Sequence, residues 1–311
     1  MRTHPLFSSL LRAAPLLLLL TGCAGAQRAR GGSDAGVRTL VHEGRSRSYV
    51  VRAPRAASST PRPVVVMLHG GGGSASNGER MSGFTSLVER EGIIVVYPEG
   101  TSRRAPLYTW NAGHCCAYAM QSRVNDVGFL DAVLDAVASE FRVDPRRVYV
   151  TGMSNGGMMA HRYARERSAR VAAIAPVVAS LFGDETPAAG PVAVLAINGA
   201  TDELIPVDGG GTGRGLAGGF DGKATLPVSS QGRYWATANG CTATPTSERV
   251  GTVTHTRYAC PAGRTVELQL VHDNGHAWPG GQRGSTRADG PSRTVDATER
   301  IWAFFSAHPK P

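Results

Sequence analysis

The stretch Val148-Tyr149-Val150-Thr151-Gly152-Met153-Ser154-Asn155-Gly156-Gly157-Met158-Met159 constrains the fold most, because it joins a β-rich run, a G-x-S-x-G and the opening of a helix. A serine hydroxyl is a poor nucleophile in water. A protein that uses one exposes it on a tight turn, beside a base and near backbone donors, and Gly152 and Gly156 leave room for such a turn. The helix that follows aims its free N–H groups at the same point. In a chain with 39 glycines the bare pattern arises easily by chance. The strand and helix on its flanks are what set Ser154 apart from a serine in an ordinary capping turn.

The rest of the chain builds a sheet around that stretch. Residues 37–41 and 48–52 read as a hairpin turning through Glu43-Gly44-Arg45. Residues 64–68, 93–97, 171–178 and 192–197 are apolar runs of strand length, the pattern of strands buried on both faces. Residues 79–90 fit a helix with Phe84, Leu87 and Val88 on one side. A longer helix follows Asn125 or Asp126 as cap, with Val127, Leu130, Leu134, Val137 and Phe141 at helical spacing. Residues 101–123 form a long irregular excursion, Asp144-Pro145-Arg146-Arg147 a turn, and residues 207–228 a glycine-rich loop. Helices are predicted over 229–239 and 294–306, with a last strand over 266–271. Apolar strands alternating with amphipathic helices predict an α/β protein with a mostly parallel central sheet and helices on both faces. Neither an internal repeat nor a second domain is read. Residues 37–311 are expected to form a single domain without a large cap.

The N-terminus reads differently. Arg2 and Arg12 precede the apolar end Leu16 to Leu20, and the run is too short to span a bilayer. Residues 1–22 are therefore expected to be a signal peptide. Leu20-Thr21-Gly22-Cys23 resembles a bacterial lipobox, which implies lipidation of Cys23 and a signal of the lipoprotein type. Residues 23–36, small and polar, read as a flexible tether. The expected location is outside the cytoplasm, either lipid-anchored to the cell envelope (the outer membrane, since Ala24 follows Cys23) or extracellular. The anchor is the one expected membrane contact. Arginine supplies most of the formal +9 charge, scattered along the chain with no aromatic-interleaved basic cluster, so nucleic acid is not an expected partner. A monomer is expected.

An oxidising compartment permits disulfides. Cys241 and Cys260 flank a segment with two β-prone stretches, a hairpin that a bridge would close. Cys115 and Cys116 are adjacent and read equally as free thiols or a vicinal pair. Neither pair has zinc-ligand spacing with histidines, so no metal site is expected.

Activating Ser154 requires an imidazole to take its proton and a carboxylate to orient the imidazole. Of nine histidines, His276 follows the last strand in a glycine-flanked loop, and loops at strand C-termini are where a parallel sheet gathers its active site. His272 is the runner-up, and His114 lies in the long loop where it could touch substrate. Asp202 follows the 192–197 strand, while Asp208 and Asp221 sit deeper in loop. The His69-Gly70-Gly71-Gly72-Gly73 run after a buried strand resembles the oxyanion-forming loop of α/β-hydrolases, with His69 shaping that loop and doing no proton transfer. The order Ser154, Asp202, His276 matches the same superfamily. Backbone N–H groups of Gly70, Gly71 and Asn155 are the candidate oxyanion donors. Trp110 and Trp278 are candidates to line the substrate pocket or to pack in the core.

These motifs, with Trp110-Asn111, Asn125-Asp126-Val127-Gly128-Phe129, Asn198-Gly199-Ala200-Thr201-Asp202, Asn239-Gly240-Cys241 and Gly275-His276-Ala277-Trp278-Pro279, carry a family resemblance. From about Arg47 to the C-terminus the chain resembles secreted esterases grouped with polyhydroxybutyrate depolymerases and feruloyl or acetylxylan esterases. Asn198-Gly199 departs from the His-Gly more usual there. The resemblance implies an α/β-hydrolase fold and a serine esterase without cofactor, acting through an acyl-enzyme. Its substrates would be carboxylic esters, polyhydroxyalkanoate-type polyesters or oligomers, or feruloyl or acetyl esters of polysaccharides. Two other functions compete: a hydrolase-like lipoprotein that binds without catalysis, and a peptidase on the same fold.

Overall fold

The computed structural model describes Met1 and residues 36–210, 223–286 and 288–311. Residues 2–35, which hold the rest of the expected leader, Cys23 and most of the expected tether, and Asp221 lie outside the described residues.

The chain opens with an antiparallel hairpin, β1 (Val37–His42) and β2 (Arg45–Arg52), and β3 (Arg62–Leu68) follows. Next comes a departure from the sequence reading, which placed one helix over 79–90. Helix α1 (Ala75–Ser82) starts earlier, because Ser74 accepts the Asn77 N–H as N-cap, and stops at Gly83. Gly83 takes a left-handed φ of 69° that ends the helix, its N–H donating to Glu79 O. A 3₁₀ turn and the short α2 (Leu87–Glu91) carry the chain to β4 (Ile94–Pro98). The long excursion contains α3 (Ala117–Gln121), and α4 (Asp126–Glu140) is capped by Asn125, whose side chain accepts the Gly128 N–H. The expected turn at 144–147 is instead the first half of β5 (Val143–Met153), where Val143 pairs with Arg62 ahead of a register shift.

Beyond β5 come α5 (Asn155–Glu166), β6 (Ala173–Val177), β7 (Ala193–Gly199), α6 (Ser230–Asn239) and a hairpin of β8 (Thr246–Val250) and β9 (Val253–Tyr258). The Cys241–Cys260 disulfide closes that hairpin, as the sequence reading expected. Strand β10 (Val266–Val271) and α7 (Ala297–Ala307) complete the chain, and α7 begins at its Asp296 cap and not at residue 294.

Among the described residues the ten strands form one sheet in the order β1-β2-β4-β3-β5-β6-β7-β10-β9-β8. The run from β4 to β10 is parallel, and the hairpins at both edges are antiparallel. Strand alternation divides the core into two layers. Val64, Val66 and Leu68 pack with α4, α5 and α6 residues such as Leu130, Met159 and Trp235. Val65 and Met67 pack on the opposite face with Met81, Leu87, Ile301 and Phe305. Tyr149 stacks on Phe305 there, with ring centroids 4.7 Å apart. Because both faces are covered, β3, β4, β6 and β7 are buried along nearly their whole length. The ends of β3, β5, β7 and β10 are then the places where reactive side chains can emerge. Among the described residues no helix is long and apolar enough to cross a membrane.

Candidate active site

Strand β5 delivers Ser154 on a backbone with φ 55° and ψ −122°, and α5 begins at the next residue. Such a conformation costs a non-glycine residue of order 1–3 kcal/mol and persists only when the surroundings impose it. Here they do. A Cβ on Gly152 would lie 2.6 Å from the Gly156 carbonyl carbon, and one on Gly156 would drive into the Leu68 carbonyl, so β3, the turn and α5 close up only through these glycines. Ser154 N donates to Val177 O at 2.8 Å, tying the turn to β6. The residue is 8% exposed.

The glycine loop after β3 runs beside this turn: a Cβ on Gly70 would sit 3.8 Å from Ser154 Cβ. His69 is fully buried and shapes the loop, as read from sequence. Its Nδ1 donates to Gly70 O at 2.8 Å and its Nε2 accepts Gly100 N–H at 3.0 Å. Burial pushes the imidazole down to about 4, so it stays neutral with both nitrogens engaged.

From sequence, Trp110 is open between the substrate pocket and the core. It is fully buried and presents no surface to a substrate. Its indole N–H donates to His69 O at 3.0 Å, while its backbone N–H donates to Asn155 Oδ1 at 2.7 Å and its carbonyl accepts from Asn155 Nδ2 at 3.0 Å. One residue therefore braces the glycine loop against the start of α5. Cys115 and Cys116, left open by the sequence, are joined as a vicinal disulfide, and Asn155 Nδ2 lies 3.5 Å from Cys115 Sγ. Trp278 is likewise buried, its indole N–H on Thr298 Oγ1 at 3.0 Å and its ring edge-on to Phe84, so it too packs in the core.

The loop after β7 carries Asp202. Its Oδ1 accepts the N–H groups of Leu204 and Ile205 at 2.9 and 2.8 Å, and its Oδ2 takes His276 Nδ1–H at 2.8 Å. The Asp202 side chain is sealed from solvent, whereas that of His276 is 11% exposed. With Nδ1 donating, Nε2 is left as the basic nitrogen. Asn274 shapes this loop by donating to Gly275 O and Ala277 O, and Asp289 Oδ2 accepts the His276 backbone N–H at 2.6 Å. Among the described residues no hydrogen bond joins Ser154 to His276, a contact that often tightens only when substrate is bound.

The competing residues are engaged elsewhere. His272 Nε2 meets Thr254 Oγ1 at 2.9 Å, His114 Nε2 meets Asp184 at 2.9 Å, and Asp208 is exposed. His161 is buried between Gln231 and Trp235 and held down to about 4 by burial.

Two features escaped the sequence reading. Asp289 lies in a loop with no pattern to mark it. Asp126, read as a possible cap, is instead buried with Arg47 at 2.8 Å and accepts the Asn111 N–H at 2.8 Å, which fastens the residue after Trp110. Burial pushes the Asp126 carboxyl up and the Arg47 guanidinium down, while the charge of each opposes the shift of the other. The Arg47 guanidinium also lies 3.8 Å from the Phe129 ring centroid, a favourable stack for a cation. Among the described residues no cluster could hold a metal ion.

The architecture and this site define the class of protein: a carboxylic ester hydrolase on the α/β-hydrolase fold. More narrowly, the chain belongs to the esterase family described as Esterase PHB depolymerase, matched over residues 47–219. It is 34% identical over 260 residues to "Putative esterase NocK" of Nocardia uniformis subsp. tsuyamanensis, covering 78% of this chain and 74% of that one. It is 28% identical over 313 residues to feruloyl esterase C of Emericella nidulans, covering 96% and 100%. Among solved structures, the acetyl xylan esterase of Aspergillus awamori shares the fold with a TM-score of 0.58 at 15% identity, over 87% of this chain and 99% of that one.

Proposed function

We propose that the chain is an exported serine esterase in which Ser154 is the nucleophile, His276 the general base and Asp202 its orienting carboxylate. The observations that carry this reading are the 2.8 Å Asp202–His276 hydrogen bond in the loops after β7 and β10 and, at the end of β5 in the same sheet, a serine on a strained strand-to-helix turn. His276 Nε2 takes the hydroxyl proton as Ser154 Oγ attacks the ester carbonyl, and Asp202 stabilises the imidazolium that forms. Backbone N–H groups of Asn155, Gly70 and Gly71 receive the oxyanion, where the loss of one donor in comparable sites costs about 3 kcal/mol. The alcohol departs with the proton from His276, and water then releases the acid from the acyl-enzyme. No cofactor is required.

The substrates are esters of polymers or their oligomers, either hydroxyalkanoate polyesters or feruloyl and acetyl esters of polysaccharide. The family description and the names of the relatives support these two classes. Residues 37–311 act as one catalytic domain behind a leader ending at residue 22, with Cys23 as lipid anchor to the cell envelope. Mass spectrometry of the mature N-terminus tests the anchor, and an unmodified terminus beyond Cys23 would rule it out. The catalytic assignment is tested with a fluorophosphonate probe, which is expected to label the wild-type chain and not Ser154→Ala. That variant should also lose aryl-ester turnover by roughly a millionfold. Labelling or turnover retained in it would overturn the assignment. A panel of methyl ferulate, acetylated xylan and a hydroxybutyrate oligomer then separates the substrate classes.

A further inference from the structure

A cleft of about 510 Å³ opens between the loop at Asn111 and Gly113, the entry to α4, and α5. Its walls carry Arg123, Arg162 and Arg165 against one carboxylate, Glu166. Asp126, the other nearby acid, has its oxygens committed to Arg47 and to the Asn111 N–H. The cleft is therefore cationic, and its guanidinium groups are unequally satisfied. Arg162 is fixed in place, with Nε on Glu166 Oε1 at 2.8 Å and Nη1 on Asn111 O at 2.7 Å, which leaves Nη2 uncommitted by those bonds. Arg165 is 14% exposed, and its Nη2 lies 3.8 Å from Glu166, too far for a good hydrogen bond. Its Nε is sealed from solvent with no hydrogen-bond partner among the described residues.

Guanidinium groups, planar and permanently charged, match carboxylate and phosphate oxygens. The volume exceeds what a lone inorganic ion fills and falls in the range of small-molecule sites. Arg162 and Arg165 follow Ser154 by about 12 and 16 Å along the α5 axis at about 1.5 Å per residue, so an occupant lies apart from the reacting hydroxyl. We propose that this cleft binds the acidic group of a sugar-sized anion, a uronate or a sugar phosphate, at a site separate from the ester-hydrolysing centre.

Calorimetry on the full purified chain, with glucuronate, glucose 6-phosphate and neutral glucose as ligands, tests this without reference to esterase activity. One or both anions should bind saturably at one site, and glucose should not bind. The two anions distinguish a carboxylate from a phosphate ligand. Arg165→Gln should weaken binding by at least about tenfold, and Arg123→Gln, at an exposed position that leaves folding undisturbed, should weaken it by about threefold. Arg249→Gln removes the same charge from exposed β8 and should leave affinity unchanged. Absence of saturable binding by either anion would overturn the proposal. So would equal weakening by Arg249→Gln and Arg123→Gln, which would trace the binding to net charge.

Discussion

Ser154 stands on a turn whose own φ of 55° and flanking glycines leave the backbone no other path. His276, in contrast, stands on a loop that, besides its backbone bonds and the close approach of Gly199, is held by side-chain hydrogen bonds of Asp202, Asn274 and Asp289. On the serine side, substitution meets steric exclusion, since a Cβ at 152 or 156 collides with backbone that cannot retreat. On the imidazole side, each bond can be removed singly while the loop keeps its path. The serine side should therefore respond to substitution through geometry, and the imidazole side in graded steps set by the bond removed.

The largest step separating the two sides is Asp202→Asn. The amide fills the same space and can still accept from Leu204 and Ile205, but it tends to present N–H to His276 and so favours the wrong tautomer. Turnover of an aryl ester should fall by about 10⁴ with the fold intact. A loss under tenfold would mean that the loop alone orients the ring.

A second step uses acid. His69 and His161 are both held down to about 4 by burial, and both belong to the serine side, one under the glycine loop and one on α5. Each accepts an N–H on one nitrogen, from Gly100 and from Trp235, so protonation would set two donors face to face. Between pH 6.5 and 4 the unfolded chain takes up protons that the folded chain refuses. These histidines therefore contribute stability above about 6.5 that is lost as pH falls toward 4, about 3 kcal/mol or a few hundredfold for each. Urea midpoints of the wild-type chain and His161→Gln should converge as pH falls through that window. Parallel curves would show that His161 is not held neutral.

Trp110→Phe probes the brace itself. The ring keeps most of its packing but loses the N–H to His69 O, one of the ties between the glycine loop and Asn155. Turnover should fall about tenfold with KM nearly unchanged, less than the hundredfold or more expected for deleting an oxyanion donor outright. A rise in KM without a fall in kcat would return Trp110 to the substrate pocket.

The parallel strands were legible because burial on both faces leaves little but apolar residues in β3, β4 and β7. The elbow was legible because its glycines are demanded by contacts within a few residues or with one neighbouring strand. The break at Gly83 was not, since Met81, Phe84 and Leu87 stay apolar on both sides of it and one glycine is tolerated in many helices. The start of β5 was hidden by Asp144-Pro145, which locally reads as a turn although Val143 pairs with Arg62. Which of its two places Trp110 takes was not legible, because its indole partner, the His69 carbonyl, lies 41 residues away and belongs to the backbone, which leaves no mark in side-chain pattern. The Arg47–Asp126 pair, 79 residues apart, is silent in sequence for the same reason.

Asp289 offers the finest test of the contrast between the two sides. Its Oδ2 accepts the His276 backbone N–H at 2.6 Å, across 13 residues of loop, from an exposed position. Being exposed, this charge-assisted bond competes with water, so its removal should cost far less than loss of the buried Asp202 bond. Asp289→Asn can keep a neutral acceptor at the same place, and Asp289→Ala removes it. Turnover should fall about twofold in the first and about fivefold in the second, with thermal stability changed little in either. If instead both variants lose as much as Asp202→Asn, the path of the His276 loop depends on one surface carboxylate. The imidazole would then be held as rigidly as the serine, by charge where the elbow uses glycine, and the distinction between the two sides would disappear.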